Sequence, residues 1–204
     1  VSILEDLDVD VIIEGGQTMN PSTDDFLDAI KTIPAKTIFL FPNNKNIILA
    51  ANQAKELSSK NVIVIPSKSI PQCISALVAF SQNKSAELNE KAMNTAIKNV
   101  KTGQVTFAVR DTSIDGKPIK KGNILGICEN KITTVGKDTE AVLEALIEEM
   151  TDEDSEFITV YYGKGTKKQA IEKITDRLEN LYPDCEVLVK KGGQPLYYYI
   201  ISVE

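Results

Sequence analysis

The sequence contains no histidine, so the most common catalytic base and metal ligand of proteins is missing from it. Without imidazole there is no Ser-His-Asp or Cys-His nucleophile pair, no phosphohistidine relay and no zinc site built on histidine. Any chemistry in this chain would fall to carboxylates, Lys, Tyr, Ser, Thr or a cofactor. The composition therefore excludes several large classes of enzyme before any motif is considered.

Cysteine is also scarce, with Cys73, Cys128 and Cys185 scattered along 204 residues. Their number is odd and they have no Cys-x-x-Cys spacing, which argues against a disulfide framework or a metal site. Reduced, buried thiols in a cytoplasmic protein are the interpretation that fits this pattern.

Long apolar runs and strong basic regions are absent as well. No stretch approaches the roughly 20 apolar residues of a membrane span, and no signal peptide pattern opens the chain. The formal net charge is −6, which argues against nucleic-acid binding. Because the chain begins with Val1 rather than Met, we expect it to be a piece of a longer protein.

The first hundred residues predict a βαβαβα alternation. Apolar runs at 9–13, 37–41 and 62–65 each end in a polar loop, as strands of a parallel sheet covered on both faces do. Helices are expected between them. Ser22 or Thr23 is predicted to cap the first helix and Asn43 or Asn44 the second. Pro71 suits the first turn of a third helix, and a fourth spans about 86–100.

The second hundred residues predict a mixed, largely antiparallel sheet. Strands are expected at 105–109, 123–128, 132–135, 157–162, 186–190 and 196–203, with turns at 115–116 and 129–130 and helices at 139–150 and 166–181. Gly192 and Gly193 indicate a hairpin between the last two strands. The predicted architecture is α/β with two subdomains, a three-layer parallel-sheet unit over 1–100 and a mixed-sheet unit over 101–204.

Three polar loops follow the predicted parallel strands and should meet at one edge of the sheet, where ligands bind in such folds. Their candidate binding residues are Gly15, Gly16, Gln17, Thr18, Asn20, Asn43, Asn44, Lys45, Ser67 and Lys68. Glycines there expose backbone N–H groups, amide side chains donate and accept hydrogen bonds, and lysines beside helix N-termini suit a carboxylate or phosphate. Helix capping is the alternative explanation for any single one of these residues.

Other polar features indicate structure rather than chemistry. Gly163-Lys164-Gly165-Thr166 lacks the first glycine of a phosphate-binding loop, so a strand-to-helix turn explains it better. The acids between Glu140 and Glu156 have no metal-ligand spacing and fit a solvated helix face followed by an acidic loop. No catalytic residue and no metal site are therefore assigned.

Five strings of the sequence carry a family resemblance. They are Glu-Gly-Gly-Gln-Thr-Met-Asn-Pro-Ser-Thr at 14–23, Pro-Asn-Asn-Lys-Asn-Ile-Ile at 42–48, Ile-Pro-Ser-Lys-Ser-Ile-Pro-Gln at 65–72, Val-Arg-Asp-Thr at 109–112 and Tyr-Tyr-Ile-Ile-Ser-Val-Glu at 198–204. With them the chain resembles, over nearly its whole length, the C-terminal region of the bacterial fatty acid kinase A-subunit family, also labelled dihydroxyacetone-kinase-like.

This resemblance implies a fold akin to dihydroxyacetone kinase and DegV proteins, placed after an N-terminal ATP-binding kinase domain and a central domain. It implies that the assembly phosphorylates a fatty acid carried by a separate acyl-binding subunit, which yields an acyl phosphate for phospholipid synthesis. ATP and magnesium would belong to the kinase domain, which has no counterpart in this sequence. This chain is therefore expected to need no cofactor and to have no activity alone.

Two functional hypotheses from different classes follow. In the first, the three-loop edge docks the fatty-acid-binding subunit while the kinase and central domains of the parent chain carry out the reaction. In the second, the same edge binds a small anionic metabolite or a lipid head group through Lys45, Lys68 and the amides of Gly15 and Gly16.

Overall fold

The structure is a computed structural model that describes residue 4 and residues 7–15, 20–114 and 117–204, the last range without the side chain of Lys117. The chain divides into two compact units, unit 1 over Val1–Asn99 and unit 2 over Val100–Glu204. Both units combine helices with sheets, so the predicted α/β class is confirmed. In the part of the chain that is described, no helix is long and apolar enough to cross a bilayer.

Unit 1 is built around two parallel strands. Its elements are α1 (Thr23–Thr32), β1 (Thr37–Leu40), α2 (Ile48–Leu57), β2 (Asn61–Val64), α3 (Ile70–Ala79) and α4 (Ala86–Asn99). Strands β1 and β2 pair in register from Thr37 opposite Asn61 to Leu40 opposite Val64. Because successive side chains of a strand point to opposite faces, the sheet has two apolar faces to cover. Ile38 and Val62 pack with α1 and α2, whereas Ile63 packs with residues of α3 and α4.

The helix starts of unit 1 agree in part with the sequence. Ser22 caps α1 in a capping box, in which its side chain and that of Asp25 bind each other's backbone N–H groups. Ser69 caps α3, with Pro71 in the first turn. The cap predicted for α2 is wrong: Ile47 occupies the N-cap position without a side-chain bond. A preceding turn uses Asn44 instead, whose Oδ1 accepts a hydrogen bond of 2.9 Å from the N–H of Asn46.

The strand predicted at 9–13 is also wrong, because these residues have no regular secondary structure. Asp8 has a φ of 55°, which turns the chain just before the apolar run. Ile13 packs against the core that contains Phe26 and Ile38, without joining a ladder. The run is apolar because it covers a core, and this burial needs no strand pairing.

Unit 2 contains a six-stranded sheet in the order β7-β6-β3-β10-β8-β9. Its elements are β3 (Lys101–Phe107), β4 (Thr112–Ile114), β5 (Lys117–Ile119), β6 (Ile124–Cys128), β7 (Lys131–Gly136), α5 (Thr139–Met150), β8 (Phe157–Tyr162), α6 (Lys168–Leu181), β9 (Glu186–Lys191) and β10 (Tyr199–Val203). Buried residues of α5 and α6, such as Leu146 and Leu178, form one core with strand residues such as Val160 and Ile201. Strands β8 and β9 pair in parallel and the other neighbours in this sheet are antiparallel, so the sheet is mixed as predicted.

The hairpin predicted at Gly192 and Gly193 is wrong, because β10 lies between β3 and β8 while β9 lies beyond β8. The N–H groups of both glycines donate to the carbonyl of Tyr162, at 2.9 and 3.1 Å. The chain then crosses the end of β8 to reach the centre of the sheet. The predicted turn at Glu129 and Asn130 is confirmed, with both residues at positive φ. The other predicted turn, at 115–116, lies outside the described residues.

Candidate functional site

Two of the three polar loops are joined by a reciprocal pair of hydrogen bonds. The N–H of Asn43 donates to Ser67 Oγ at 3.2 Å, and the Ser67 hydroxyl donates to Asn43 Oδ1 at 2.7 Å. Ser67 is completely buried. Asn43 has a φ of 59°, a left-handed conformation that asparagine tolerates better than most residues. The pair therefore fixes the loop after β1 against the loop after β2.

The loop after β2 is also fixed from within. The N–H of Lys68 donates to Gln72 Oε1 at 2.7 Å, and Gln72 is itself buried. The adjacent thiol of Cys73 is buried as well, and this burial raises its pKa to about 11, while a hydrogen bond with Asn43 acts in the opposite direction. At neutral pH the thiol is protonated, so Cys73 serves packing rather than nucleophilic chemistry.

Exposed side chains stand on this fixed base. Lys45, Asn46 and Lys68 face solvent, and two apolar side chains beside them are exposed, Leu49 at 71% and Ile70 at 38%. We call residues 43–49 and 67–70 the loop edge. It combines a rigid backbone with cationic, amide and apolar groups.

An apolar cleft of about 1070 Å³ lies in unit 1 next to the loop edge. Its walls include Ile13 from the segment before α1, Phe26 and Ile30 from α1, Ile38 from β1 and Leu77 from α3. Gly15, Asn20, Asn43 and Asn44 line the same cleft and supply polar groups.

The structure thus separates the predicted site residues into distinct groups. Gly15, Asn20, Asn43 and Asn44 share the cleft, Ser67 is buried beneath Asn43, and Lys45 and Lys68 stand exposed on the loop edge. The remaining candidates, Gly16, Gln17 and Thr18, lie outside the described residues.

Sequence reasoning missed Leu49 and Ile70 on the loop edge and the apolar walls of the cleft. A signal for Leu49 was present, because it falls off the apolar stripe of Ile47, Ala51 and Ala54 that α2 buries. Ile70 gave no comparable signal.

The chemistry of this region is that of binding. Among the described residues, no group of three or more Cys, Asp or Glu is arranged to hold a metal ion. The polar groups at the cleft are amides and backbone, which form hydrogen bonds without taking up or releasing protons at physiological pH.

Comparison with known proteins identifies the family. The model of the FakA-like C-terminal family, which covers the C-terminal region of the fatty acid kinase A-subunit and similar proteins, matches residues 1–204. Protein YloV of Bacillus subtilis (strain 168) is 46% identical over 202 residues, which are 99% of this chain and 36% of that protein. An uncharacterised Staphylococcus aureus (strain USA300) protein is 44% identical over 193 residues, covering 95% and 35% respectively. The chain therefore spans about a third of the length of these relatives.

Solved structures share the fold at low sequence identity. The DegV family protein Cg2579 from Corynebacterium glutamicum has a TM-score of 0.65 at 14% identity, covering 99% of this chain and 91% of that one. The Streptococcus pneumoniae fatty acid kinase B3 protein, loaded with linoleic acid, has a TM-score of 0.62 at 15% identity, covering 90% and 76%. The dihydroxyacetone kinase of C. freundii, in complex with AMP-PNP and Mg²⁺, has a TM-score of 0.62 at 14% identity, covering 90% and 41%. The chain belongs to the FakA-like C-terminal family of fatty acid kinases, and its fold is that of DegV and dihydroxyacetone kinase proteins.

Proposed function

We propose that this chain is a non-catalytic C-terminal region of a fatty acid kinase and that its loop edge docks a separate fatty-acid-binding subunit. Family membership supports the kinase context, and the amide and backbone groups at the candidate site support a binding role. In this proposal ATP, magnesium and the formation of the acyl phosphate belong to other domains of the longer protein. This chain needs no cofactor for its part.

The observation that carries the proposal is an exposed apolar patch on a rigid base. Leu49 and Ile70 are exposed beside loops that the buried Asn43–Ser67 pair fixes. Interface residues that contribute most of the binding energy are side chains that a partner can bury without reordering the backbone. Lys45 and Lys68 surround the patch and would steer an acidic partner surface towards it.

The test is a triple variant in this patch, Lys45→Glu with Leu49→Ser and Lys68→Glu. Titration calorimetry with the purified lipid-loaded carrier subunit should show a dissociation constant at least about tenfold higher than for the unchanged chain, because the variant removes apolar contact and reverses the rim charge. A signal from the full-length kinase confirms that the carrier is active.

The matched control is Lys55→Glu with Leu57→Ser and Lys91→Glu, which makes the same changes at exposed positions of α2 and α4. It should bind the carrier like the unchanged chain. Equal weakening by both variants, or no binding by the unchanged chain, would contradict the docking proposal. Circular dichroism spectra of both variants establish that they are folded.

A second candidate function is supported by the cleft, which we propose binds an apolar chain directly. Its volume of about 1070 Å³ is at the upper end of typical ligand pockets. Aliphatic and aromatic side chains form its walls, and Asn43 and Asn44 could bind a polar head at one end. The S. pneumoniae protein of the same fold was solved with linoleic acid.

This candidate predicts a complex of the chain with linoleic acid in native mass spectrometry. Ala29, on α1, lines the cleft, so Ala29→Trp should fill it and reduce the bound fraction at least about tenfold. Asn52→Trp, on the exposed face of α2, should leave binding unchanged. Binding that survives Ala29→Trp in a folded protein would place the fatty acid elsewhere and count against the cleft.

A further inference from the structure

The sheet of unit 2 brings many strand ends to a single edge. Along one row, Gly136 of β7 lies opposite Ile124 of β6, which in turn lies opposite Phe107 of β3. On the other half of the sheet, Tyr199 of β10 lies opposite Tyr162 of β8, which pairs with Lys191 of β9. With six strands about 4.8 Å apart, this edge is about 24 Å wide.

This edge is rich in lysine. The basic residues at or just beyond these strand ends are Arg110, Lys120, Lys121, Lys137, Lys164, Lys167, Lys168 and Lys191. All of them are exposed. Two carboxylates at the same edge are already used by the backbone: Asp111 accepts from the N–H of Lys121 at 2.7 Å, and Asp138 accepts from the N–H of Ala141 at 2.8 Å. Glu140 is half-buried in the first turn of α5. We call this surface the basic edge.

The opposite end of the same sheet is acidic. The carboxylate residues there are Glu129, Glu148, Glu149, Asp152, Glu153, Asp154, Glu156, Asp184, Glu186 and Glu204. Lys101 also lies at this end and forms an ion pair with Asp152. Unit 2 is therefore polarised along its strands, although the whole chain carries a net charge of −6. A uniformly acidic protein would not concentrate its lysines in this way.

Exposed apolar side chains lie among the lysines. Phe107, Val109, Leu196 and Tyr198 are exposed at 36%, 70%, 44% and 39%. The rings of Phe107 and Tyr198 are 6.0 Å apart, and the N–H of Tyr198 donates to the carbonyl of Val105 at 2.8 Å. The Thr106 hydroxyl donates to the carbonyl of Leu196 at 2.9 Å, so these side chains are held at the strand ends.

The choice of cation indicates the kind of partner. The basic edge has seven lysines and a single arginine, whereas protein interfaces are depleted in lysine and enriched in arginine. Lysine is a flexible point charge without the planar fork that matches individual carboxylates or phosphates. Lysine clusters interleaved with aromatic and aliphatic side chains are typical of surfaces that lie on anionic lipid.

We propose that the basic edge of unit 2 docks onto an anionic lipid bilayer. The lysines provide long-range attraction to the lipid head groups, and Phe107, Val109, Leu196 and Tyr198 insert at the interface. The contact is peripheral and reversible, because its attraction is electrostatic and is screened by salt. This proposal is independent of carrier docking and of fatty acid binding in unit 1.

The test is co-sedimentation of the full 204-residue chain with vesicles of phosphatidylcholine that contain 30% phosphatidylglycerol, compared with phosphatidylcholine alone. Binding should require phosphatidylglycerol and should fall sharply in 0.5 M NaCl. Each lysine near an anionic surface contributes about fivefold to the partition coefficient, so Lys164→Glu with Lys167→Glu and Lys168→Glu should reduce it at least about a hundredfold.

The control variant Lys55→Glu with Lys91→Glu and Lys98→Glu makes the same change in net charge on exposed positions of unit 1. It should retain most of the binding. An equal loss in both triple variants would show that only net charge matters and would overturn the proposal. So would the absence of binding to phosphatidylglycerol, or binding to an acidic polypeptide such as polyglutamate in preference to the vesicles. Leu196→Ser with Tyr198→Ser provides a second test, because it keeps every charge and should still weaken vesicle binding.

Discussion

Replacement of Gly163 by alanine is expected to lower the free energy of unfolding of unit 2 by about 3 kcal/mol, because it forces a methyl group into backbone that has no room to move. A Cβ at this position would overlap the carbonyl oxygen of Tyr197 and come within 2.9 Å of the carbonyl oxygen of Gln194. Both oxygens belong to the segment that crosses the end of β8. The N–H of Gly163 donates to the carbonyl of Tyr198 at 2.8 Å, so the two backbones are locked together.

Tyrosine fluorescence during urea unfolding measures this effect selectively. The six tyrosines all lie in unit 2, at 161, 162, 182 and 197–199, and the chain has no tryptophan. Gly165→Ala is the matched control: its φ of 88° makes alanine strained, but no atom lies within 4 Å of the added carbon. That variant should cost only about 1 to 2 kcal/mol. If the two substitutions were equally costly, the close approach of the crossing segment would not be what requires glycine at 163.

The crossing segment also shows where sequence reasoning about the fold ends. The bounds of α5 and β8 agree with the predicted ranges 139–150 and 157–162, since amphipathic and apolar runs bounded by polar breaks are local signals. The partner of a strand is a non-local property. Gly192 and Gly193 fit a hairpin turn, yet β10 is more stable between β3 and β8, where Tyr199, Ile201 and Val203 are buried.

The candidate site divides along the same line. Polar loops after β1 and β2 could be recognised from their composition and their position after apolar runs. The sequence could not show that Ser67 is buried under Asn43, because two residues 24 positions apart meet only when the parallel strands pair in register. Nor could it predict the cleft, because the segment at 7–15 lines it without forming the predicted strand.

Ser67→Ala is expected to destabilise unit 1 by about 2 to 3 kcal/mol, since it leaves both the N–H and the Oδ1 of Asn43 without their partner in a part-buried site. Hydrogen exchange measured by mass spectrometry should show faster exchange in the peptides that contain 41–47 and 65–69. Ser58→Ala is the control, because this half-buried serine of the same unit accepts only a local hydrogen bond from the N–H of Lys60, at 3.1 Å. It should leave exchange at the loop edge unchanged.

Asn43→Gly separates the two physical causes at this pair. Glycine relieves the positive φ of residue 43 but removes the side-chain carbonyl that Ser67 binds. If the hydrogen bonds dominate, Asn43→Gly should destabilise unit 1 nearly as much as Ser67→Ala; if strain dominates, it should be neutral or stabilising. Since neither substitution alters the exposed Lys45, Leu49 or Lys68, weaker carrier binding by Ser67→Ala would show that docking depends on how the loops are held as well as on which side chains they carry. Unchanged carrier binding by a destabilised Ser67→Ala would instead show that the buried pair stabilises unit 1 without shaping the docking surface.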